Sequence, residues 1–191
     1  MTKTILTCLL TLTLGAFAAE PAATKESAIA PACAVDGKPL KAGLTTSYEE
    51  RTYSFCSETC QAAFVTKVNG SIYHQIGGKA AMDAAIEIFY KKVLADTRIK
   101  GFFEDINMNA QRRKQKAFLS AAFGSPVKWE GRDMRKAHSN LGLNDTHFNA
   151  VAEHLQATLE ELKVKKELVD QIMALAGSLR SEVLNRKPAA K

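Results

Sequence analysis

From Ser71 to about Asn185, apolar side chains recur at intervals of three and four, with charged residues filling the gaps. That spacing gathers the apolar positions on one stripe of a helix. Gly77-Gly78 should end a short first helix. Ala80 to Leu94 then carries Ile86, Phe89, Tyr90, Val93 and Leu94 on one side. Asn109 is placed to cap a helix over Ala110 to Phe123, which Gly124-Ser125-Pro126 stops. After a loop with Trp129 and Gly131, a short helix is expected around Met134 to Leu141. Asn144 or Asp145 opens a long helix with Phe148, Val151, Leu155, Leu159 and Leu162. The last stripe is Leu168, Ile172, Leu175 and Leu179. No alternating strand pattern interrupts this stretch, so it predicts an all-α domain.

The first seventy residues read differently. Lys3, the apolar run Ile5 to Phe17 and the small-x-small triplet Ala16-Phe17-Ala18 form an export signal over residues 1–19. The run is too short to be a stable membrane span. Cys8 lies inside it and would leave with it. Residues 20–31 are rich in Ala and Pro and read as a linker. Residues 32–69 form a small unit with Cys33, Cys56 and Cys60, predicted as a hairpin plus a short helix. Residues 186–191 read as a frayed tail. Export would place the mature chain in the periplasm or outside the cell. No later segment is apolar enough over sufficient length to serve as an integral membrane segment.

Composition narrows the class. With 46% hydrophobic and 24% charged residues, the 191-residue chain is not of the disordered kind. The net charge of +6 is dispersed among acidic residues. Its densest run is Arg112-Arg113-Lys114-Gln115-Lys116, inside a helix. We read that run as a solvated face with some contact to an anionic ligand, not as a nucleic-acid stripe.

Four positions carry candidate chemistry: Gln111, Gln115, Tyr90 and His138. Gln111, Gln115, Phe118 and Ala122 share one helix face. Either the two amides meet a bound polar ligand there, or they lie at the rim in water. Tyr90 stands in an apolar patch where its hydroxyl needs a partner. His138 lies four residues after Met134 and three before Leu141, as a packed residue or as a metal or haem ligand. His74, His147 and His154 have similar surroundings, and the pattern does not choose among the four.

Longer runs bring a resemblance. Ile72-Tyr73-His74-Gln75-Ile76-Gly77-Gly78, Phe89-Tyr90-Lys91-Lys92-Val93-Leu94-Ala95-Asp96 and Phe102-Phe103 resemble group 1 truncated (2-on-2) haemoglobins. Asn107-Met108, Gln111 to Leu119, Met134-Arg135-Lys136-Ala137-His138, His147-Phe148 and Val183-Leu184-Asn185 continue it in order. The resemblance implies a truncated globin fold over residues 70–185 that holds haem b. By it, His138 is the proximal ligand of the iron and Phe103 packs on the haem face. Tyr90, Gln111 and Gln115 form the distal polar cluster, and Phe118 lines the pocket. Lys114 stands where some relatives have a distal histidine, and reaches toward a propionate. Phe123-Gly124-Ser125 departs from the two glycines common at that point. The ligands implied are dioxygen and nitric oxide. Oxidation of nitric oxide to nitrate would need an external electron-donating reductase, since no flavin or nicotinamide motif is present.

Cys33, Cys56 and Cys60 have the spacing C-x22-C-x3-C. With Tyr53-Ser54-Phe55-Cys56-Ser57-Glu58-Thr59-Cys60 and Phe64, they resemble the YHS/TRASH-type metal-binding module. Thiolates at this spacing suit Cu(I) or Zn(II), and Cys56 and Cys60 are expected to share one helical turn. The first knuckle, Cys33-Ala34-Val35, departs from the common Cys-Gly-Met. No fourth ligand is evident; His74 is the nearest histidine. A disulfide from Cys33 to Cys56 or Cys60 is the alternative, and it leaves one odd thiol. Three functions follow: a haem globin for oxygen or nitric oxide chemistry, a periplasmic copper- or zinc-handling or sensing protein, or a helical scaffold without haem.

Overall fold

The computed structural model describes residues 32–187. The export signal and the linker lie outside the described residues.

Among the described residues, five of the eight α-helices begin at a side-chain cap. A two-stranded antiparallel hairpin, β1 (Thr45–Tyr48) and β2 (Arg51–Ser54), comes first. Helix α1 (Glu58–Asn69) follows, capped by Ser57, whose side chain accepts from the Cys60 amide. Cys33, Phe55, Phe64 and Val68 form the small core under this unit.

The helical part is α2 (Ile72–Gln75), α3 (Gly78–Ala95), a 3-10 turn (Lys100–Phe103), α4 (Met108–Ala122), α5 (Met134–His138), α6 (Asp145–Glu161), α7 (Lys166–Ser178) and α8 (Arg180–Val183). Helix α3 packs on α4 and α6, α6 on α7, and α5 on α8. Its Met82 enters a core with Tyr73, Phe123, Leu159, Val169 and Ile172. One end further, Ile86, Phe89, Tyr90 and Val93 join Ile99 and Ala150 in a second core. Each of these fully buried side chains contributes about 1.5–3 kcal/mol of apolar transfer energy, so α3 is the beam on which both cores hang. Among the described residues, no helix is long and apolar enough to cross a membrane.

Two boundaries differ from expectation. Helix α4 starts at Met108, and its cap is Asn107, which accepts from the Ala110 amide at 3.0 Å. Asn109 is already inside the helix. Met108 packs against the second core, and that contact sets the entry point two residues early. Helix α5 stops at His138 rather than Leu141. Leu141 is 44% exposed and has no core to reach, so nothing apolar rewards another turn.

The glycine breaks also resolve. Gly77 and Gly78 both take positive φ, 107° and 61°, which ends α2 and redirects the chain into α3. At the far end of α4, the Gly124 amide bonds to Ala121 and the Ser125 amide to Ser120, with Gly124 at φ 90°. That is a Schellman stop, so the single glycine of Phe123-Gly124-Ser125 suffices.

Candidate functional site

Tyr90 is 1% exposed, at the centre of the second core. The Phe103 ring meets it edge-on at 5.9 Å, and Phe89 does so at 5.2 Å. The side-chain amide of Gln111 donates to the Tyr90 oxygen at 3.2 Å. That bond uses an acceptor site on the phenol and leaves its O–H free to donate elsewhere. Burial pushes the Tyr90 hydroxyl above the usual phenol range, against the opposing effects of Gln111 and Arg112, so it stays protonated. The Arg112 guanidinium lies 5.9 Å from the ring centroid of Tyr90, with its Nε 3.4 Å from Glu87. Gln115, one turn beyond Gln111, is half-buried.

His138 closes α5. Its Nδ1 lies 2.7 Å from the Met134 carbonyl oxygen. A carbonyl only accepts, so Nδ1 carries the proton. In the neutral ring Nε2 then holds the lone pair that a metal needs. This is the orienting contact that metal-binding imidazoles require from their surroundings.

The other histidines are occupied differently. His74 is exposed beside Tyr48. His147 accepts from the Asn144 amide within the capping box of α6. His154 pairs with Asp96 at 2.7 Å.

Whether a large flat cofactor suits these elements is tested by what they fail to bury. Helix α4 has fifteen residues, yet Ser120 alone among them is fully buried. Phe118, Leu119, Gln111 and Gln115 on it stop halfway. The 3-10 turn with Phe102 and Phe103 buries no residue fully, and neither does α5. Apolar side chains left half-covered on several elements offer surface to an apolar guest. One oriented imidazole with a buried phenol fits haem in particular. Phe118 also meets Trp129 edge-on at 5.7 Å. A Cβ on Gly131 would fall 1.9 Å from the Trp129 ring, so glycine is what lets the indole fold back there.

The basic run of α4 divides. Arg112 and Lys116 pair with Glu87 and Asp83 of α3. Arg113 and Lys114 are exposed. A separate cleft between α3 and α4 is lined by Asp83, Glu87, Arg112, Arg113 and Lys116 and by none of the predicted haem residues.

The cysteines converge as free thiols. Cys33 is buried, and Cys56 and Cys60 are half-buried with their sulfurs 3.6 Å apart. Cys56 does not share a helical turn with Cys60. It precedes the Ser57 cap, because β2 has only just ended, while Cys60 lies in the first turn of α1. Asp36 joins them, at 3.4 Å from Cys56 Sγ and 3.7 Å from Cys60 Sγ. Burial, with the neighbouring Cys60 and Cys33, pushes the Cys56 thiol up to about 12. Bonds from Cys33 and from the Lys38 amide hold Asp36 well below the usual carboxylate range. The sequence reading missed Asp36. Its signal was a carboxylate three residues after Cys33, followed by Gly37, whose φ of 72° turns the chain back.

The helical fold of residues 71–185 is that of a globin of the shortened kind. The model of the bacterial-like globin family matches residues 71–185, and the chain belongs to that family. It is 48% identical over 122 residues to the group 1 truncated hemoglobin GlbN of Synechocystis, covering 61% of this chain and 98% of that protein. Group 1 truncated hemoglobin LI410 of Chlamydomonas moewusii is 44% identical, over 60% of this chain and 68% of its own. Among solved structures, the 2/2 hemoglobin of Synechococcus in the cyanomet state with covalently attached heme is 46% identical. It covers 61% of this chain and all of its own, with a TM-score of 0.59. Truncated hemoglobin from Tetrahymena pyriformis in the Fe(III) form is 39% identical, covering 60% and 97%, with a TM-score of 0.58.

Proposed function

We propose that this protein holds haem b through His138 and binds diatomic gases, dioxygen foremost, beneath Tyr90. The observation that carries the proposal is the locked imidazole: Nδ1 is tied to Met134, and Nε2 is left as the ligand atom. When bound, haem would be held by His138 and would supply an iron able to bind a gas. Phe103 and Phe118 provide apolar walls, and Lys114 is exposed and available to a propionate. Tyr90 keeps its proton and, relieved by Gln111, donates toward any guest with partial negative charge. Gln115 lies on the same face for a second donation. In three solved variants of the Tetrahymena pyriformis globin, one tyrosine or one of two glutamines is replaced. Those positions have the same order and separations as Tyr90, Gln111 and Gln115.

A hydrogen bond to a charged group is worth roughly 1.5–3 kcal/mol. At about 1.4 kcal/mol per tenfold, loss of the Tyr90 donor should speed dioxygen release by about ten- to a hundredfold. Stopped-flow displacement of dioxygen from Tyr90→Phe checks this. An unchanged release rate would remove Tyr90 from the distal role. Oxidation of nitric oxide to nitrate belongs to the same reading, and its turnover draws an electron from a separate reductase.

The clustering of Cys33, Cys56 and Cys60 favours a second, local reading: a thiolate site of the YHS/TRASH kind for Cu(I) or Zn(II). The export signal over residues 1–19 is inferred from sequence alone, and it places the mature protein in the periplasm or outside the cell.

A further inference from the structure

We propose that Asp36 completes a four-ligand site with Cys33, Cys56 and Cys60, and that this closed site selects Zn(II) over Cu(I). The inference rests on the thiolate reading above and goes beyond it in ligand, geometry and metal.

The argument is geometric. Tetrahedral zinc binds sulfur at about 2.3 Å and carboxylate oxygen at about 2.0 Å. The edges of such a tetrahedron are then about 3.8 Å between sulfurs and about 3.5 Å between sulfur and oxygen. Here the Cys56 and Cys60 sulfurs are 3.6 Å apart. One Asp36 oxygen, Oδ2, lies 3.6 Å from Cys56 Sγ and 3.7 Å from Cys60 Sγ. One ligand atom from each of the four residues falls within 4.8 Å of the others. Cys56, Cys60 and Asp36 already stand at three corners a zinc ion would span, and Cys33 lies within reach of the fourth.

Three different pieces of backbone supply the corners, so the arrangement is not an accident of neighbouring residues. Cys33 and Asp36 come from the turn before β1, Cys56 from the link between β2 and α1, and Cys60 from α1. The turn is fixed by the Gly37 amide bonding to the Cys33 carbonyl at 2.9 Å. The Asp36 carboxylate is aimed by the Lys38 amide at 3.2 Å, and the Lys38 ammonium at 3.3 Å offsets part of the site's negative charge.

The ligand set decides the metal. Cu(I) is soft and is satisfied by thiolates, so a carboxylate adds little to it. Zn(II) accepts sulfur and carboxylate oxygen together and prefers four ligands in a closed structural site. A unit of this size, whose buried core is four residues, also gains the most from a metal staple.

The test uses the full chain with its thiols kept reduced, titrated with Zn(II) and separately with Co(II) against a competing chelator. The proposal expects one tight equivalent of Zn(II), and Co(II) absorption of tetrahedral intensity with sulfur-to-metal charge transfer. Asp36→Asn should weaken Zn(II) about tenfold or more and change the Co(II) ligand-field bands, while Cu(I) affinity stays as it was. Unchanged circular dichroism would show that the variant folds. If Asp36→Asn leaves both the Zn(II) affinity and the Co(II) spectrum unaltered, the fourth ligand is refuted while the thiolate reading survives. Failure of the reduced wild-type chain to bind either metal would overturn both.

Discussion

A single carbonyl oxygen determines how His138 is presented, and nothing in the pattern of apolar positions could reveal it. Four histidines had equal standing by their surroundings. The structure separates them by partner: Tyr48 for His74, Asn144 for His147, Asp96 for His154 and the Met134 carbonyl for His138. At His138 the held nitrogen faces a backbone carbonyl, so Nε2 keeps its lone pair, whereas the held nitrogen of His147 is itself the acceptor and that of His154 is paired with a carboxylate. His147 therefore has a structural task. Replacing it with alanine breaks one arm of the capping box and should lower stability by about 0.5–1 kcal/mol, with no change in haem affinity. Urea unfolding and a haem titration of the same variant check both halves, and a weakened haem complex would return His147 to the list of ligand candidates. Tyr90 and the glutamines were legible as a polar set on apolar faces. Their direction was not, because the Gln111 to Tyr90 bond joins residues on two helices.

At the level of elements, helix α3 lacks a side-chain cap at its own N-cap position, as do α7 and α8. Ser57, Ser71, Asn107, Asp133 and Asn144 each supply a side chain to the helix that follows. Helix α3 begins after Gly77, which has no side chain to offer. Glu49, at the tip of the hairpin, fills the vacancy. Its Oε1 accepts from the Lys79 amide at 3.0 Å and from the Tyr73 hydroxyl at 2.8 Å. Gly78 makes this possible, since a Cβ there would sit 3.1 Å from that oxygen. A carboxylate at a helix N-terminus is also favoured by the helix dipole. Glu49→Ala should therefore cost about 1 kcal/mol or somewhat more, from the lost cap and from a buried phenol left short of a partner. Chemical denaturation of the full chain measures it, and an unchanged midpoint would contradict the capping role. The stripes made the helices legible. This cap was hidden because its donor and acceptor lie thirty residues apart.

At the scale of the molecule, the ends of α3 are pinned by charge as well as by packing. Asp96 follows α3 and meets Arg98 at 2.7 Å, and Arg98 reaches on to Glu153 of α6. Arg98, through its side chain and its backbone amide, and then His154 hold the Asp96 carboxyl well below its usual range. A carboxyl depressed in the folded state adds stability above its unfolded value, near pH 4, and loses it as the pH falls below that. Asp96→Asn should thus flatten the acid side of the stability profile. Urea midpoints of the apoprotein between neutral and acid pH test this, and parallel profiles for the two proteins would contradict it. The fold class was legible because both cores are built from regular stripes. The attachment of the thiol unit to the globin was not, because it depends on exposed Glu49 and Glu50 of a turn that reads as solvent-facing.

The central claim is that His138 grips the iron of a bound haem. Haem titration of the purified apoprotein, followed by absorbance, tests it most directly. The wild-type chain should saturate at one equivalent with a sharp Soret band. His138→Gly should lose that band and regain it when free imidazole is added. A band of equal strength and affinity in His138→Gly without imidazole, or no pigment in the wild type, would contradict the account.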